Sequence, residues 1–417
     1  MSIRGAGSTI MRVLFTTLPA AGAFHPLVPL AQTLQESGHE VAFATSQSYC
    51  STVQGAGFGC YPAGYDWLTG NREPLYAHVQ GLLADSNRPF SPFGDVYAAF
   101  LPPLMVPDLL VLARSWRPDV VVRDPMEFAG CVAAEVLGIP HATCGPLFSF
   151  WDGAWHGPAG EVSKPNLCEL RRSYGLSPDP DLTMLHRYLY LAFLPPTFLD
   201  PALSPPTTVQ FLRPICFNQS GTEAPPSWPE RLPARPTVHA SLGTIFHRTP
   251  GVFAAIIEGL REEEINLVVA VGRDQDPASF GRQPSNVFIE RYIPHSLLLP
   301  HCHAVVTHAG FSSVMACFEQ GLPMVAIPLA GGDQPGNAQR CSALGVARVI
   351  SPGERTPEAI REAVREVLHN PSYGKNARRV RQEMQSMPPP EFAVQLLEKL
   401  VRDGCPIMNG SQSIARA

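Results

Sequence analysis

Charge is scarce in this chain: 16% of its 417 residues are Asp, Glu, Lys or Arg, against about 25% in an ordinary globular protein. The charge present leans acidic, to a net −5 at pH 7. No basic excess exists to neutralise a nucleic-acid backbone, so nucleic-acid binding is not expected. Long apolar runs are also missing. The stretch from Leu101 to Ala113 is cut by Pro102, Pro103, Pro107 and Asp108, short of the ~18 apolar residues that a membrane helix needs. We therefore expect a soluble protein with no membrane span. The ten cysteines include no Cys-x-x-Cys pair, the pattern of reduced thiols in a cytoplasmic protein. There is no Gly-x-x-x-x-Gly-Lys-Ser/Thr phosphate loop, no Gly-x-Ser-x-Gly nucleophile elbow and no His-Glu-x-x-His, which removes the commonest templates for nucleotide hydrolysis, serine hydrolysis and zinc peptidases.

Apolar side chains, at 45%, and proline, at 44 residues, are plentiful. The first supplies large cores, and the second disfavours long bundles because proline stops helices. The length suggests two domains. Met11 to Leu18 (MRVLFTTL) is an apolar, β-branched run, as expected of a strand buried on both faces of a parallel sheet. A helical period from Leu27 to Ser37 ends at Gly38, and Glu40 to Thr45 reads as the next strand. The alternation continues through Asp119 to Arg123, Phe128 to Leu137 and Ile139 to Cys144. The chain turns proline-rich from Pro201 to Pro236, and the rhythm then restarts with strands at Thr237 to Leu242, Asn266 to Val271, Asn286 to Arg291, Ala304 to Thr307 and Met324 to Pro328. The fold class is α/β. We place a first domain at 11–212, a linker at 213–236, a second domain at 237–386 and a final helical segment at 387–403.

Thr307-His308-Ala309-Gly310-Phe311-Ser312-Ser313 lies between a buried strand and a helix ending at Gly321. A small-residue turn of this kind presents backbone N–H groups and a partial positive charge to a phosphate, though either it or Ser241-Leu242-Gly243-Thr244 could be a capped turn and nothing more. Asp333-Gln334 could bind sugar hydroxyls or begin a helix. The histidines between Pro294 and His308 invite a metal, but their spacing matches no zinc pattern, and none is expected.

In order, Tyr292-Ile293-Pro294-His295, His308-Ala309-Gly310-Phe311-Ser312-Ser313, Gly321-Leu322-Pro323 and Asp333-Gln334 resemble the donor-binding signature of family 1 glycosyltransferases: aromatic-x-Pro-Gln, His-x-Gly-x-x-Ser, Gly-x-Pro and Asp-Gln. The opening MRVLFTTLPAAGAFHPLVPLAQTLQESGHEV resembles the bacterial natural-product members, and Ser241 to Thr244 resembles their Ser-x-Gly-Thr turn. The resemblance implies a GT-B fold of two facing Rossmann-like domains, with the last helix crossing back to the first. It implies a TDP- or UDP-sugar as co-substrate and no cofactor. Tyr292 and Ile293 would hold the base. His308, Gly310, Ser312 and Ser313 would surround the diphosphate, Asp333 and Gln334 would bind the sugar, and Ser241, Gly243 and Thr244 would also bind the donor.

One departure concerns the base. The family's first loop reads Gly-His-x-x-Pro, and this chain has Gly22-Ala23-Phe24-His25-Pro26, with Ala23 in the histidine position. His25 could serve from a shifted loop with Asp124 as its orienting carboxylate. Without that histidine, the alternative is a nucleotide-sugar-binding partner protein with little chemistry of its own. A third reading, isomerisation of the nucleotide sugar, is disfavoured by aromatic first-domain loops carrying Phe90, Phe148 and Trp151, which suit an apolar acceptor. A homodimer or a helper protein is compatible with the resemblance.

Overall fold

A computed structural model describes residues 10–66, 73–83, 91–146, 158–217, 232–243, 248–329 and 333–410. The chain divides into two compact units: Met1–Phe193, Ala202–Ser220 and Pro388–Ala417 form one, Leu194–Pro201 and Gly221–Met387 the other.

The first unit is built on a parallel seven-stranded sheet: β1 (Arg12–Thr16), β2 (Glu40–Thr45), β3 (Gly59–Pro62), β4 (Val120–Arg123), β5 (His141–Gly145), β6 (Leu189–Ala192) and β7 (Val209–Phe211), in the order β3-β2-β1-β4-β5-β6-β7. Side chains alternate across β1, so Val13 and Phe15 enter one core and Leu14 the other. The Phe15 core includes Leu30 and Leu34 of the helix Val28–Glu36 and Leu397 and Leu400 of the last helix, Pro390–Asp403. The Leu14 core includes Met105, Leu109, Phe128 and Val132.

Two expectations need correction here. The prolines after Leu101 do not interrupt the apolar run: a π-helical stretch, Pro92–Phe100, leads directly into the α-helix Leu101–Trp116. Pro102 falls in the first turn of the α segment, where a missing N–H costs little, and Pro107 is carried inside it. The resulting helix, Phe93–Trp116, is long and apolar enough to cross a membrane by length and composition, but Leu101, Met105, Val106, Leu109 and Leu110 are buried within the unit. Nor are all the thiols reduced. The hairpin from the helix Cys50–Gly55 into β3 brings Cys50 and Cys60 to a Cα separation of 5.4 Å, and they form a disulfide.

The second unit carries a parallel six-stranded sheet of β8 (Thr237–Ser241), β9 (Asn266–Ala270), β10 (Val287–Glu290), β11 (Ala304–Thr307), β12 (Met324–Ala326) and β13 (Ala347–Val349), in the order β10-β9-β8-β11-β12-β13. Val238, Ile256, Leu260, Val269, Val306, Ile360 and Val364 lie in its core. Residues 194–201, placed by sequence in the first domain, pack with this unit instead. Arg340 donates from Nε and Nη2 to the carbonyls of Phe198 and Thr197, at 3.0 Å each. The Phe198 ring meets Phe318 edge-on at 5.5 Å.

The last helix belongs to the first unit. Arg213 N donates to Pro388 O at 2.8 Å, and Ile407 N to Tyr188 O at 2.8 Å. Leu397 is 0% exposed, so Leu397→Ala is expected to cost about 2–5 kcal/mol, read as a lowered urea midpoint with unchanged slope.

Candidate active site

In each sheet the strand order reverses once, between β1 and β4 and between β8 and β11. Connections leave such a point toward opposite faces, and ligands of open α/β sheets bind in the crevice at the carboxyl ends of the strands there. Ser241 ends β8, and Gly243 follows with φ +76°. Thr244 lies outside the described residues. His308 follows β11, and then Ala309 adopts φ +62°, a left-handed conformation that costs a non-glycine residue about 1–3 kcal/mol. That turn is held by Ala309 N donating to Thr307 Oγ1 at 3.2 Å and by Asn337 Nδ2 donating to Ala309 O at 3.0 Å.

The turn delivers Gly310 as the cap of the helix Phe311–Gln320, which carries Ser312 and Ser313 in its first turn. A Cβ on Gly310 would lie 2.4 Å from His308 Nε2, and one on Gly243 would lie 2.6 Å from Nε2 and Cε1. The imidazole thus fits between two stretches of backbone that lack side chains. Its Nδ1 is buried with no hydrogen-bond partner among the described residues. Burial, and secondarily His295, push His308 down to about 4, so it is neutral at pH 7 and meets an anion as a hydrogen-bonding group rather than a cation. His239 and His295 are likewise pushed down by burial, to about 3 and about 4. Among the described residues no group of three or more His, Cys, Asp or Glu side chains is placed to hold a metal.

Asp333 stands beside the same helix end. One carboxylate oxygen, Oδ2, accepts from Phe311 N and from Asn337 Nδ2, both at 2.9 Å, and burial raises its pKa. It caps the neighbouring helix rather than its own, Gln334–Ala343. Gln334 is buried, and its Oε1 accepts from Leu329 N at 2.8 Å. Ile293 is buried, and Tyr292 is half-buried with the Arg273 guanidinium 3.9 Å from its ring centroid.

In the first unit, Asp124 stands at the end of β4 and ties the β1 loop to it. Its Oδ2 accepts from Leu18 N at 2.9 Å and its Oδ1 from Met126 N at 2.7 Å. Burial raises its pKa. Nearby, burial pushes Glu127 up to about 7 although the Thr16 hydroxyl donates to it. His25 opens the 3-10 turn His25–Leu27 that follows the helix Ala21–Phe24. Its ring lies edge-on to Phe217 at 5.3 Å. Residues two apart on a helical turn do not share a face, so His25 and Ala23 point to different sides. Phe90, Phe148 and Trp151 lie outside the described residues. Described aromatics of this unit include Tyr65 and Phe100, in contact at 5.4 Å, and Phe93 against Tyr97 at 6.0 Å, with the Tyr97 pKa raised by burial and then by Asp124.

The sequence matches the C-terminal domain of the erythromycin biosynthesis protein CIII-like family over residues 254–400 and its N-terminal domain over 93–147. It is 30% identical to 4'-demethylrebeccamycin synthase of Lentzea aerocolonigenes, covering 94% of this chain and 99% of that one. It is also 30% identical to 10-deoxymethynolide desosaminyltransferase of Streptomyces venezuelae, covering 94% and 97%. The chain belongs to the family 1 natural-product glycosyltransferases. Among solved structures, the glycosyltransferase SnogD from Streptomyces nogalater is similar with a TM-score of 0.73 at 28% identity, over 94% of this chain and 100% of that one. VinC, solved in complex with TDP, shares the fold with a TM-score of 0.79 at 24% identity, over 94% and 100%. The GT-B fold and the glycosyltransferase activity expected from the sequence are borne out by these likenesses.

The structure brings Ser241, Gly243, His308, Gly310 and Asp333 together at one switch point and sets Asp124 at the other. Sequence reading missed Asn337, although its i+4 spacing from Asp333 in DQPGN was a usable signal. It also missed Arg273 and Glu127, for which no local pattern speaks. Gly310 has φ −64°, open to any residue, so Gly310→Ala should fold normally yet displace His308. We expect TDP affinity to fall at least tenfold, about 1.4 kcal/mol, in a calorimetric titration, with the melting temperature nearly unchanged.

Proposed function

We propose that the chain is an inverting transferase, moving a sugar from a TDP- or UDP-linked donor to a hydroxyl of an apolar, aromatic natural product. The observation that carries this reading is the neutral imidazole of His308 held between Gly243 and Gly310 at the start of the helix Phe311–Gln320. As the sugar–phosphate bond breaks, negative charge grows on the leaving diphosphate. A helix N-terminus and a fixed neutral N–H donor stabilise that charge without reorganising, which is the kind of aid that lowers a barrier. In this reading no metal is required.

The acceptor hydroxyl attacks the anomeric carbon from the face opposite the diphosphate. The new C–O bond forms as the old one breaks, the proton passes to His25, and the diphosphate leaves with the bonding pair. Asp124 acts in this scheme through the loop, since its carboxylate anchors Leu18, seven residues before His25 in the chain. That the acceptor is a natural product is supported by the relatives, which include an aklavinone and a 10-deoxymethynolide transferase; an aromatic acceptor rests on the aromatic loops of the first domain. TDP is supported by the VinC complex, a protein of the same fold.

The decisive experiment titrates TDP, UDP and GDP into the protein and into His308→Ala, then assays turnover of the bound donor with His25→Ala. We expect TDP or UDP to bind, His308→Ala to weaken binding at least tenfold, and His25→Ala to lower kcat about 100-fold or more with donor affinity intact. Unchanged turnover in His25→Ala would remove His25 from the mechanism; no nucleotide binding would sink the transferase reading itself.

A further inference from the structure

Strand β10 runs directly into Tyr292, and its partner β9 runs into the loop that carries Arg273. The two strands are parallel, with Val269 opposite Ile289 and Ala270 opposite Glu290. The pairing continues past the strand ends, because Val271 N donates to Glu290 O and Gly272 N to Arg291 O, both at 2.9 Å. The loop is then fixed from behind. Gln275 Nε2 donates to Val271 O at 2.7 Å, and Asp276 lies 3.5 Å from the Arg291 guanidinium. Extended past the strand ends, the register sets Gly272 opposite Tyr292, and the next residue, the exposed Arg273, lays its guanidinium 3.9 Å from the ring centroid.

A guanidinium over an aromatic ring is a planar cation on a planar π face. Tyr292 is the residue assigned above to the nucleobase, and a base stacks well on the same kind of surface. A ring already covered by a cation can receive a base if the cation lifts by about one ring thickness, ~3.5 Å. An arginine on an exposed loop makes that movement by rotating its own side chain, with no change in the backbone bonds that fix the loop. The lifted guanidinium then lies on the outer face of the base. Its N–H groups lie in the guanidinium plane, parallel to the base, and point outward to solvent, so they stay hydrated while the face is stacked.

We propose that Arg273 is a residue of the donor-base site, and that a pyrimidine nucleoside diphosphate inserts its base between the Arg273 guanidinium and the Tyr292 ring. The inference rests on the donor-site reading of Tyr292 and names how that site holds its base. Lysine cannot replace the arginine, because an ammonium is a point charge with no plane to stack.

Calorimetric titration of the full-length protein with TDP and with inorganic pyrophosphate tests this, comparing the unaltered chain with Arg273→Ala and Arg273→Lys. The expected result is a loss of TDP affinity of at least tenfold in both variants, with pyrophosphate bound as in the unaltered chain. Retained pyrophosphate binding also reports that the variants are folded. Equal loss of TDP and pyrophosphate would make Arg273 a phosphate ligand and overturn the sandwich. Unchanged TDP affinity would remove Arg273 from the site, and tighter TDP binding in Arg273→Ala would show that the guanidinium competes with the base; either result overturns the proposal while leaving the donor site standing. If the unaltered chain binds pyrophosphate but not TDP, or binds neither, the donor-site reading fails first and the inference with it.

Discussion

The switch point of the second unit depends on a steric fact: His308 has a place only because Gly243 and Gly310 have no side chains. The two glycines come from the two strands that flank the reversal in strand order, so their approach is set by the sheet and not by the loops alone. Gly243 also needs its glycine for conformation, at φ +76°, whereas Gly310 does not. Fixing the imidazole between backbones removes it from water, which is why it stays neutral. In the reaction proposed above, neutrality has a chemical use. A neutral donor binds the developing charge of a leaving diphosphate without holding the free product as strongly as a fixed cation would.

The left-handed turn at Ala309 fits the same constraint. It converts the direction of β11 into that of the helix Phe311–Gln320 within three residues, and the Thr307 hydroxyl and Asn337 carboxamide hold it there. Backbone strain of this kind persists only where the surroundings over-determine it. Here the over-determination comes from Asn337, on the helix Gln334–Ala343, which also grips Asp333. One side chain therefore couples the turn that places His308 to the carboxylate that caps the next helix.

Much of this was legible in the sequence, because buried parallel strands announce themselves as apolar runs. Ala304 to Thr307 was read to the residue, and β8 and β9 to within one residue at one end. The strands β3, β6, β7 and β13 were not read. β7 sits in proline-rich chain where turn signals dominate, and β3, GCYP, carries no apolar run. Residues 194–201 were assigned to the wrong unit because what decides their place is a long-range contact, Arg340 to the carbonyls of 197 and 198. The donor motif was legible as a string of residue types, but its wiring was not. Nothing local to Asp333 says that its carboxylate reaches back 22 residues to Phe311 N, and a lone Arg273 in a loop carries no pattern at all until the β9–β10 register is known.

That wiring bears on how the site can hold an anion. A helix N-terminus attracts negative charge, and in this chain Asp333 is already there, accepting from Phe311 N. A diphosphate arriving at the same end must therefore meet the helix through residues other than Phe311, and must share the neighbourhood with a carboxyl group. Burial raises the pKa of Asp333, and an approaching anion would disfavour its charged form further. Burial and the ligand therefore act on this carboxyl in the same direction, toward the uncharged acid, which would not repel a diphosphate.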